Sequence, residues 1–362
     1  MFKIIAQHFV EQYSFLNLFN FITFRVGASI LTALFFSLIF GQYIINKISK
    51  IQPTGQPIRN DGPENHIIQK AGTPTMGGLL IILSVIISLV LWSDLQNTFV
   101  WIGFLTLFVF GFIGFVDDYN KIKSNSSNGL KARTRIILQI FFALMISILV
   151  FNNLDNQINT TISFPFFKNL IINFGYFYFI ISLFIIVGSA NAVNLTDGLD
   201  GLAIVPVMIV AMTFAFIAYV SGNIVFSDYL LINYIPGTGE LSVLCGALIG
   251  AALGFLWFNA PPAKVFMGDT GSLALGATIG SIAIMVKHEI VLAIAGGLFV
   301  LETLSVIIQV ISFKLTGKRV FMMAPLHHHF EKKGWAESTI VIRFWIITIV
   351  LALLSLATLK IR

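Results

Sequence analysis

Two aspartates stand side by side at Asp117 and Asp118, and Lys121 follows four residues after the first. Adjacent carboxylates closing an apolar run repel one another and oppose a helix dipole, so a positive group has to be near. Lys121 could supply an ordinary ion pair; alternatively, one carboxylate handles a proton or metal while the lysine meets phosphate. A second cluster, Asn191-x-x-Asn194-x-x-Asp197-x-x-Asp200, places a polar residue at every third position. In a helical or 3₁₀ turn these four fall along one stripe, although an Asn-, Asp- and Gly-rich turn capping the next helix has the same composition. A third cluster runs from Asn259 through Lys264 and Phe266 to Gly268-Asp269-Thr270-Gly271-Ser272. Asp269 reads either as a helix cap or as a metal ligand in a tight loop whose free N–H groups hold phosphate, and Ser272 is expected to cap the helix that follows.

Two further segments carry polar groups next to apolar runs. In Lys70-Ala-Gly-Thr-Pro-Thr-Met-Gly-Gly78, Thr73 and Pro74 suit the start of a helix, while Lys70, Thr75 and the glycines fit an anionic or polar ligand at that helix N-terminus. In Ala324-Pro-Leu-His327-His328-His329-Phe330-Glu331 three histidines are adjacent; with no cysteine or second histidine group nearby, phosphate or sugar binding suits them better than zinc. Glu302 and Gln309, inside an apolar run, read as interhelical hydrogen-bonding groups without a catalytic role.

Asp117, Asp118, Asp197, Asp200 and Asp269 would repel if gathered, unless a cation joined them. Lys70, Lys121, Lys131, Arg133 and Lys264 share their loops. An all-oxygen donor set points to a hard cation, Mg²⁺ or Mn²⁺, and Mg²⁺ commonly shares its shell with substrate phosphates. Phosphoryl chemistry is the expectation. Neither a G-x-x-x-x-G-K-[ST] loop nor a G-x-G-x-x-G fingerprint occurs, so nothing indicates ATP hydrolysis or a dinucleotide.

The elements that must position these groups are membrane helices. Of 362 residues 57% are hydrophobic and only 10% charged, with a mean hydropathy of +0.91, which excludes an ordinary soluble enzyme. The apolar residues fall in continuous blocks rather than alternating, so the fold is all-α and polytopic, with ten transmembrane helices expected at 22–46, 74–93, 98–116, 135–151, 170–188, 200–220, 241–258, 272–286, 290–311 and 339–359. Residues 1–20 read as a retained interfacial segment ahead of a single integral membrane domain. The loops 47–73, 117–134, 189–199, 259–271 and 312–338, with Arg135 and Arg343 at helix starts, hold sixteen of the 22 Lys and Arg; Lys3, Arg25, Lys168, Lys287, Lys360 and Arg362 make up the other six. That bias puts the polar clusters in the cytoplasm and both termini outside. The net charge of +6 is a topology signal spread over several loops, with no nucleic-acid-binding module. The single cysteine, Cys245, can form no intramolecular disulfide.

Taken together, the motifs resemble those of the phospho-N-acetylmuramoyl-pentapeptide transferase (lipid I synthase) family, within the polyprenyl-phosphate N-acetylhexosamine-1-phosphate transferases. Asp117-Asp118-x-x-Lys121, Asn191-x-x-Asn194-x-x-Asp197 and Phe266-Met-Gly-Asp269 are similar to the superfamily's motifs, and the segments Lys70 to Gly78 and Ala324 to Glu331 to those of the muramoyl-pentapeptide branch. The resemblance runs nearly end to end. It implies transfer from UDP-MurNAc-pentapeptide to undecaprenyl phosphate, giving lipid I and UMP with Mg²⁺, the first membrane step of peptidoglycan synthesis in the bacterial inner membrane. It implies that Asp269 binds Mg²⁺, that Asp117 deprotonates or orients the lipid phosphate, and that Asp118 supports that site. Lys70, Asn194, Asp197, Asp200, Asn259 and Phe266 would hold uridine and its phosphates, Phe266 by stacking. Thr75, Lys121 and Asn191 would line the substrate site, and His327, His328 and His329 would lie near the diphosphate and sugar. Direct attack by the lipid phosphate is favoured over a phospho-enzyme, and the resemblance leaves a homodimer open.

Two other readings compete. A UDP-GlcNAc:undecaprenyl-phosphate GlcNAc-1-phosphate transferase would keep the aspartates, but is expected to lack the triple histidine and the segment Lys70 to Gly78. A nucleotide-sugar transporter would need polar groups near mid-membrane, whereas here they gather at one side.

Overall fold

The computed structural model describes residues 1–53, 55–56, 72–124, 126, 129–167 and 170–360. Two short pieces lead, α1 (Phe2–Phe9) and a 3₁₀ turn (Ser14–Asn20), followed by α2 (Ile22–Ile51), α3 (Gly78–Trp92), α4 (Thr98–Lys123) and α5 (Ala132–Asn153). A small antiparallel hairpin, β1 (Thr161–Ser163) and β2 (Ile171–Asn173), then precedes α6 (Tyr178–Thr196), α7 (Ile204–Ser221), the short α8 (Ile224–Leu230), α9 (Leu241–Asn259) and α10 (Gly268–Met285). The chain closes with α11 (Glu289–Ala295), α12 (Gly297–Thr316), α13 (Leu326–Lys332) and α14 (Glu337–Ala357).

Eight of these helices are long and apolar enough to cross a membrane by length and composition. Two more of the expected spans, α3 and α10, fall short of that description for separate reasons. α3 has only 15 residues, about 22 Å, because the chain before it turns through Met76 at φ +71° and bonds to Phe266 and Met267 instead of to itself. α10 is enclosed: Asp269 to Met285 are all buried among other helices, so it meets no lipid and tolerates Thr270, Ser272, Thr278 and Ser281.

Several expected boundaries move. The second helix starts at Gly78 and not at Pro74, so Thr73 does not cap it. The fifth starts at Tyr178 rather than near residue 170, because Ile171, Ile172 and Asn173 pair with Ser163, Ile162 and Thr161. The ninth, expected over 290–311, is broken at Gly296 into α11 and α12. Ser272 does not cap α10 either: the helix begins four residues earlier, and the Ser272 hydroxyl donates to the Gly268 carbonyl at 2.9 Å.

Glycines bring the central helices together. Along α9, Gly246, Gly250 and Gly254 recur every fourth residue and face α2, where an added methyl would press on the Val26 carbonyl, the Ile30 carbonyl and Ser37, respectively. Such small-residue stripes drive close packing in lipid, where burying apolar surface gives little net attraction. Gly250→Ala is expected to lower stability by about 1–3 kcal/mol, because the new methyl collides with backbone that cannot turn aside. Gly27→Ala, on α2 with open space around it, is the control and should leave the melting temperature unchanged.

The opposite end of the bundle from the polar clusters is tied by ions. Arg25, 1% exposed, grips Glu240 with two bonds of 2.6 Å. Lys3 meets Asp94 at 2.5 Å, and the Met1 amine donates to the Val90 carbonyl at 2.7 Å, so the N-terminal segment docks on the end of α3.

Candidate active site

The last turns of α4 and α6 and the first turns of α5 and α10 meet at one end of the bundle, and each brings a polar side chain. α4 delivers Asp117, Asp118 and Lys121; α5 delivers Arg135; α6 delivers Asn194; α10 delivers Asp269. Lys121 Nζ lies 2.6 Å from Asp117 Oδ2, 3.0 Å from Asp269 Oδ2 and 3.8 Å from Asp118 Oδ1. Arg135 Nη1 reaches the same Asp269 oxygen at 3.1 Å, and Asn194 Nδ2 donates to Asp269 Oδ1 at 2.6 Å and to Ser272 Oγ at 2.9 Å. The alternatives of ion pair and chemical site at Lys121 therefore coincide: one ammonium bridges two helices through three carboxylates.

The two adjacent aspartates do different work. Asp118 is 1% exposed and accepts from Asp269 N at 3.2 Å, Thr270 N at 2.9 Å and Thr270 Oγ1 at 2.7 Å. It caps α10 from another helix, so those N–H groups are not free for phosphate as the sequence suggested. Asp117 Oδ1 accepts from Leu130 N at 2.8 Å, and its Oδ2 faces the Lys121 ammonium at 2.6 Å.

Backbone approach makes this possible. Methyl groups at Gly78 or Gly114 would overlap the α10 backbone at Thr270–Gly271 and Asp269, respectively. Gly268 has φ +71°, and a side chain there would meet Thr75 Oγ1 and Asp118 Oδ2 at 2.5 and 2.6 Å, so only glycine suits that turn.

Asp117, Asp118 and Asp269 each offer an oxygen within 4.8 Å of the others, and all three are buried. Against three carboxylates stand Lys121 and Arg135, leaving one negative charge if all ionise. A buried charge of that kind calls for a proton or a further cation. The all-oxygen donors fit a hard divalent ion, with Asp117 and Asp269 the two carboxylates that Asp118's capping role leaves to hold it.

The structure places the other expected residues around this centre to differing degrees. Lys70 lies outside the described residues. Thr75 is buried, its N–H bonded to Gln52 Oε1 at 3.0 Å and its hydroxyl beside Gly268. The N-terminus of α3 is not an open anion site: the N–H groups of Gly77 and Gly78 donate to the carbonyls of Phe266 and Met267 at 2.8 and 2.9 Å. Those bonds, with Phe266 N to the Pro74 carbonyl at 2.8 Å, lay the chain before α3 along the chain before α10, and Phe266 is half-buried there.

The four polar residues spaced by three do not share one stripe. Asn191 and Asn194 are on α6, but Asn191 donates to Gln139 Oε1 at 2.7 Å while Asn194 turns to Asp269. Asp197 is the C-cap of α6. Asp200 Oδ2 accepts from Ala263 N at 2.9 Å, and Asn259 ties Gly201 N to the Val265 carbonyl at 3.0 and 2.9 Å. These two join the loop after α6 to the loop after α9.

In the histidine run, His327 is 1% exposed, with its N–H on Glu302 Oε1 at 3.2 Å. His328 Nδ1 lies 2.6 Å from Glu331 Oε2. His329 Nδ1 accepts from Met322 N at 3.2 Å, which leaves Nε2 to carry the proton. Partial burial, helped by Lys333, lowers His329 below the ordinary imidazole value. Sequence reasoning missed Arg135 and Thr270, whose partners are 134 and 152 residues away.

An all-α polytopic bundle with buried carboxylates and cations gathered at one end of its helices defines an integral membrane transferase. Residues 100–287 match the family described as glycosyl transferase family 4, and residues 70–82 match signature 1 of the phospho-N-acetylmuramoyl-pentapeptide-transferases. A protein of Pelagibacter ubique (strain HTCC1062) named phospho-N-acetylmuramoyl-pentapeptide-transferase is 59% identical over 362 residues, covering 100% of both chains. The chain belongs to the phospho-N-acetylmuramoyl-pentapeptide-transferase family.

Proposed function

We propose that the protein transfers phospho-N-acetylmuramoyl-pentapeptide from UDP-MurNAc-pentapeptide to undecaprenyl phosphate, forming lipid I and UMP with Mg²⁺ at the cytoplasmic face of the bacterial inner membrane. The observation that carries this reading is the meeting of Asp117, Asp269, Lys121 and Arg135 at one buried point. Aligning two anions and neutralising charge as it spreads over a transferred phosphoryl group is the main task of such an enzyme. Lys121 and Arg135 supply fixed positive charge at that point. Asp117, one oxygen of which faces the cluster, orients the attacking lipid phosphate or takes its proton, and Asp118 keeps Asp269 in place. Asp269, with Asp117, would hold Mg²⁺, and the ion's contribution is to draw charge from the phosphate oxygens. With Asp118 engaged by α10 and Asp117 by Lys121, direct attack by the lipid phosphate is the simpler course.

A place for the carrier's chain supports this reading. An apolar groove of about 280 Å³ runs along α6 past Phe184, Gly188 and Ala192 and is closed by Ile279, Gly296 and Phe299. Ala192 and Val193 belong to both the groove and the turn that presents Asn194, so a lipid lying there would bring its phosphate end toward the carboxylates. The Lys and Arg bias of the loops at that end supports a cytoplasmic site.

Purified protein given Mg²⁺, undecaprenyl phosphate and UDP-MurNAc-pentapeptide should release UMP. Chelation should stop the release and added Mg²⁺ restore it. Turnover of UDP-GlcNAc instead would replace the substrate, and transport without UMP release would replace the enzyme class.

A further inference from the structure

Glu302 lies in the second turn of α12 with no exposed surface, a position where a carboxylate is costly unless something specific holds it. Its Oε2 has no hydrogen-bond partner among the described residues. Its Oε1 is taken up by a single residue: the His327 N–H at 3.2 Å and the His327 ring, whose Nδ1 stands 3.3 Å away. The far side of that ring, Nε2, presses on Gly198, where an added methyl would overlap it. Gly198 follows the C-cap of α6, four residues after Asn194, and precedes Asp200. His327 is thus a wedge between a carboxylate sealed in α12 and the loop leaving α6.

We propose that Glu302 is a positioning residue for the transfer reaction: through His327 it clamps the loop 196–201 and the start of α13, and so sets where Asn194, His328 and His329 stand. This rests on the reading above for what the loop serves, but the clamp itself is a mechanical statement. Glu302 touches no reacting group; the buried carboxylate fixes which way the imidazole points, and the imidazole fixes the loop. Glycine at position 198 is what lets the ring close on the backbone.

Two measurements on the full-length protein test it. Hydrogen exchange should speed up over 196–201 in Glu302→Gln while the interior of α9 keeps its protection; unchanged exchange in that loop overturns the clamp, whatever the protein catalyses. In the UMP-release assay, Glu302→Gln should lose about 10- to 100-fold in kcat/KM, mostly through a higher KM for the nucleotide substrate. His327→Asn should lose at least as much, and the double variant should be no worse than His327→Asn alone, since the two residues act as one unit. Multiplying losses would show that Glu302 does not act through His327 and would overturn the proposal, as would Glu302→Gln with wild-type kinetics. Should Glu302→Gln fail to fold, Gly198→Ala pushes the same ring from the other side and should show the same exchange in the loop and the same non-additivity with His327→Asn. A wild-type protein that releases no UMP counts against the assigned reaction, while the exchange result still decides the clamp.

Discussion

Asp269→Asn should cut UMP release by about a thousandfold or more, the scale expected when a principal electrostatic contact at a reacting centre is removed. Three helices besides its own converge on this carboxylate: α4 through Lys121 at 3.0 Å, α5 through Arg135 at 3.1 Å and α6 through Asn194 at 2.6 Å. An asparagine oxygen can satisfy one of those donors, but its amide nitrogen then faces the others and cannot hold a metal. Stability should fall as well. The substitution relieves the repulsion between positions 117 and 269, but Lys121, Arg135 and Asn194 all donate to this carboxylate, and an amide leaves some of those donors without an acceptor. In the absence of divalent cations the variant's melting temperature should therefore lie below that of the parent protein. Added Mg²⁺ should raise the parent's melting temperature, since a ligand that binds only the folded state stabilises it, and should leave the variant's unmoved. A variant that stays active, or one whose melting temperature still climbs with Mg²⁺, would remove Asp269 from the centre of the site.

The polar clusters were legible in the sequence because a carboxylate beside an apolar run has no cheap reason to be there, and Asp117, Asp118 and Asp269 meet accordingly. What the sequence could not show is how they divide the work. Asp117 and Asp118 are adjacent and chemically identical, yet one faces Lys121 and the other caps a helix that begins 150 residues later; only the approach of Gly114 to the α10 backbone decides between them. Arg135 was visible merely as one of several basic residues at a loop. A helix lies in every expected apolar block, and eight helices are long and apolar enough to cross a membrane, but hydropathy misjudged ends where non-helical backbone replaces helix, as before α3 and α6. The every-third spacing from Asn191 to Asp200 misled for a related reason: α6 stops at Thr196, so Asp200 answers to the loop geometry after it. The repeat Gly246-x-x-x-Gly250-x-x-x-Gly254 was a readable packing signal that went unused.

Asp118→Asn should lower activity and stability together. Asp118 is sealed from solvent, and both of its oxygens accept from the first turn of α10, from Asp269 N, Thr270 N and the Thr270 hydroxyl. Asparagine keeps one acceptor and turns the other into a donor aimed at donors, leaving N–H or O–H groups buried without partners. The cost is on the order of 3 kcal/mol, read as a lower melting temperature with or without Mg²⁺. The first turn of α10 then loses its cap and Asp269 loses its fixed position, so activity should drop by about a hundredfold. Thr270→Val deletes only the hydroxyl bond and should cost about 1 kcal/mol, with a smaller loss of activity in proportion. This graded series separates two roles for Asp118. If it holds the turn, stability and rate decline in step from Thr270→Val to Asp118→Asn; if it acts on substrate, Asp118→Asn is inactive at full stability and Thr270→Val is close to normal.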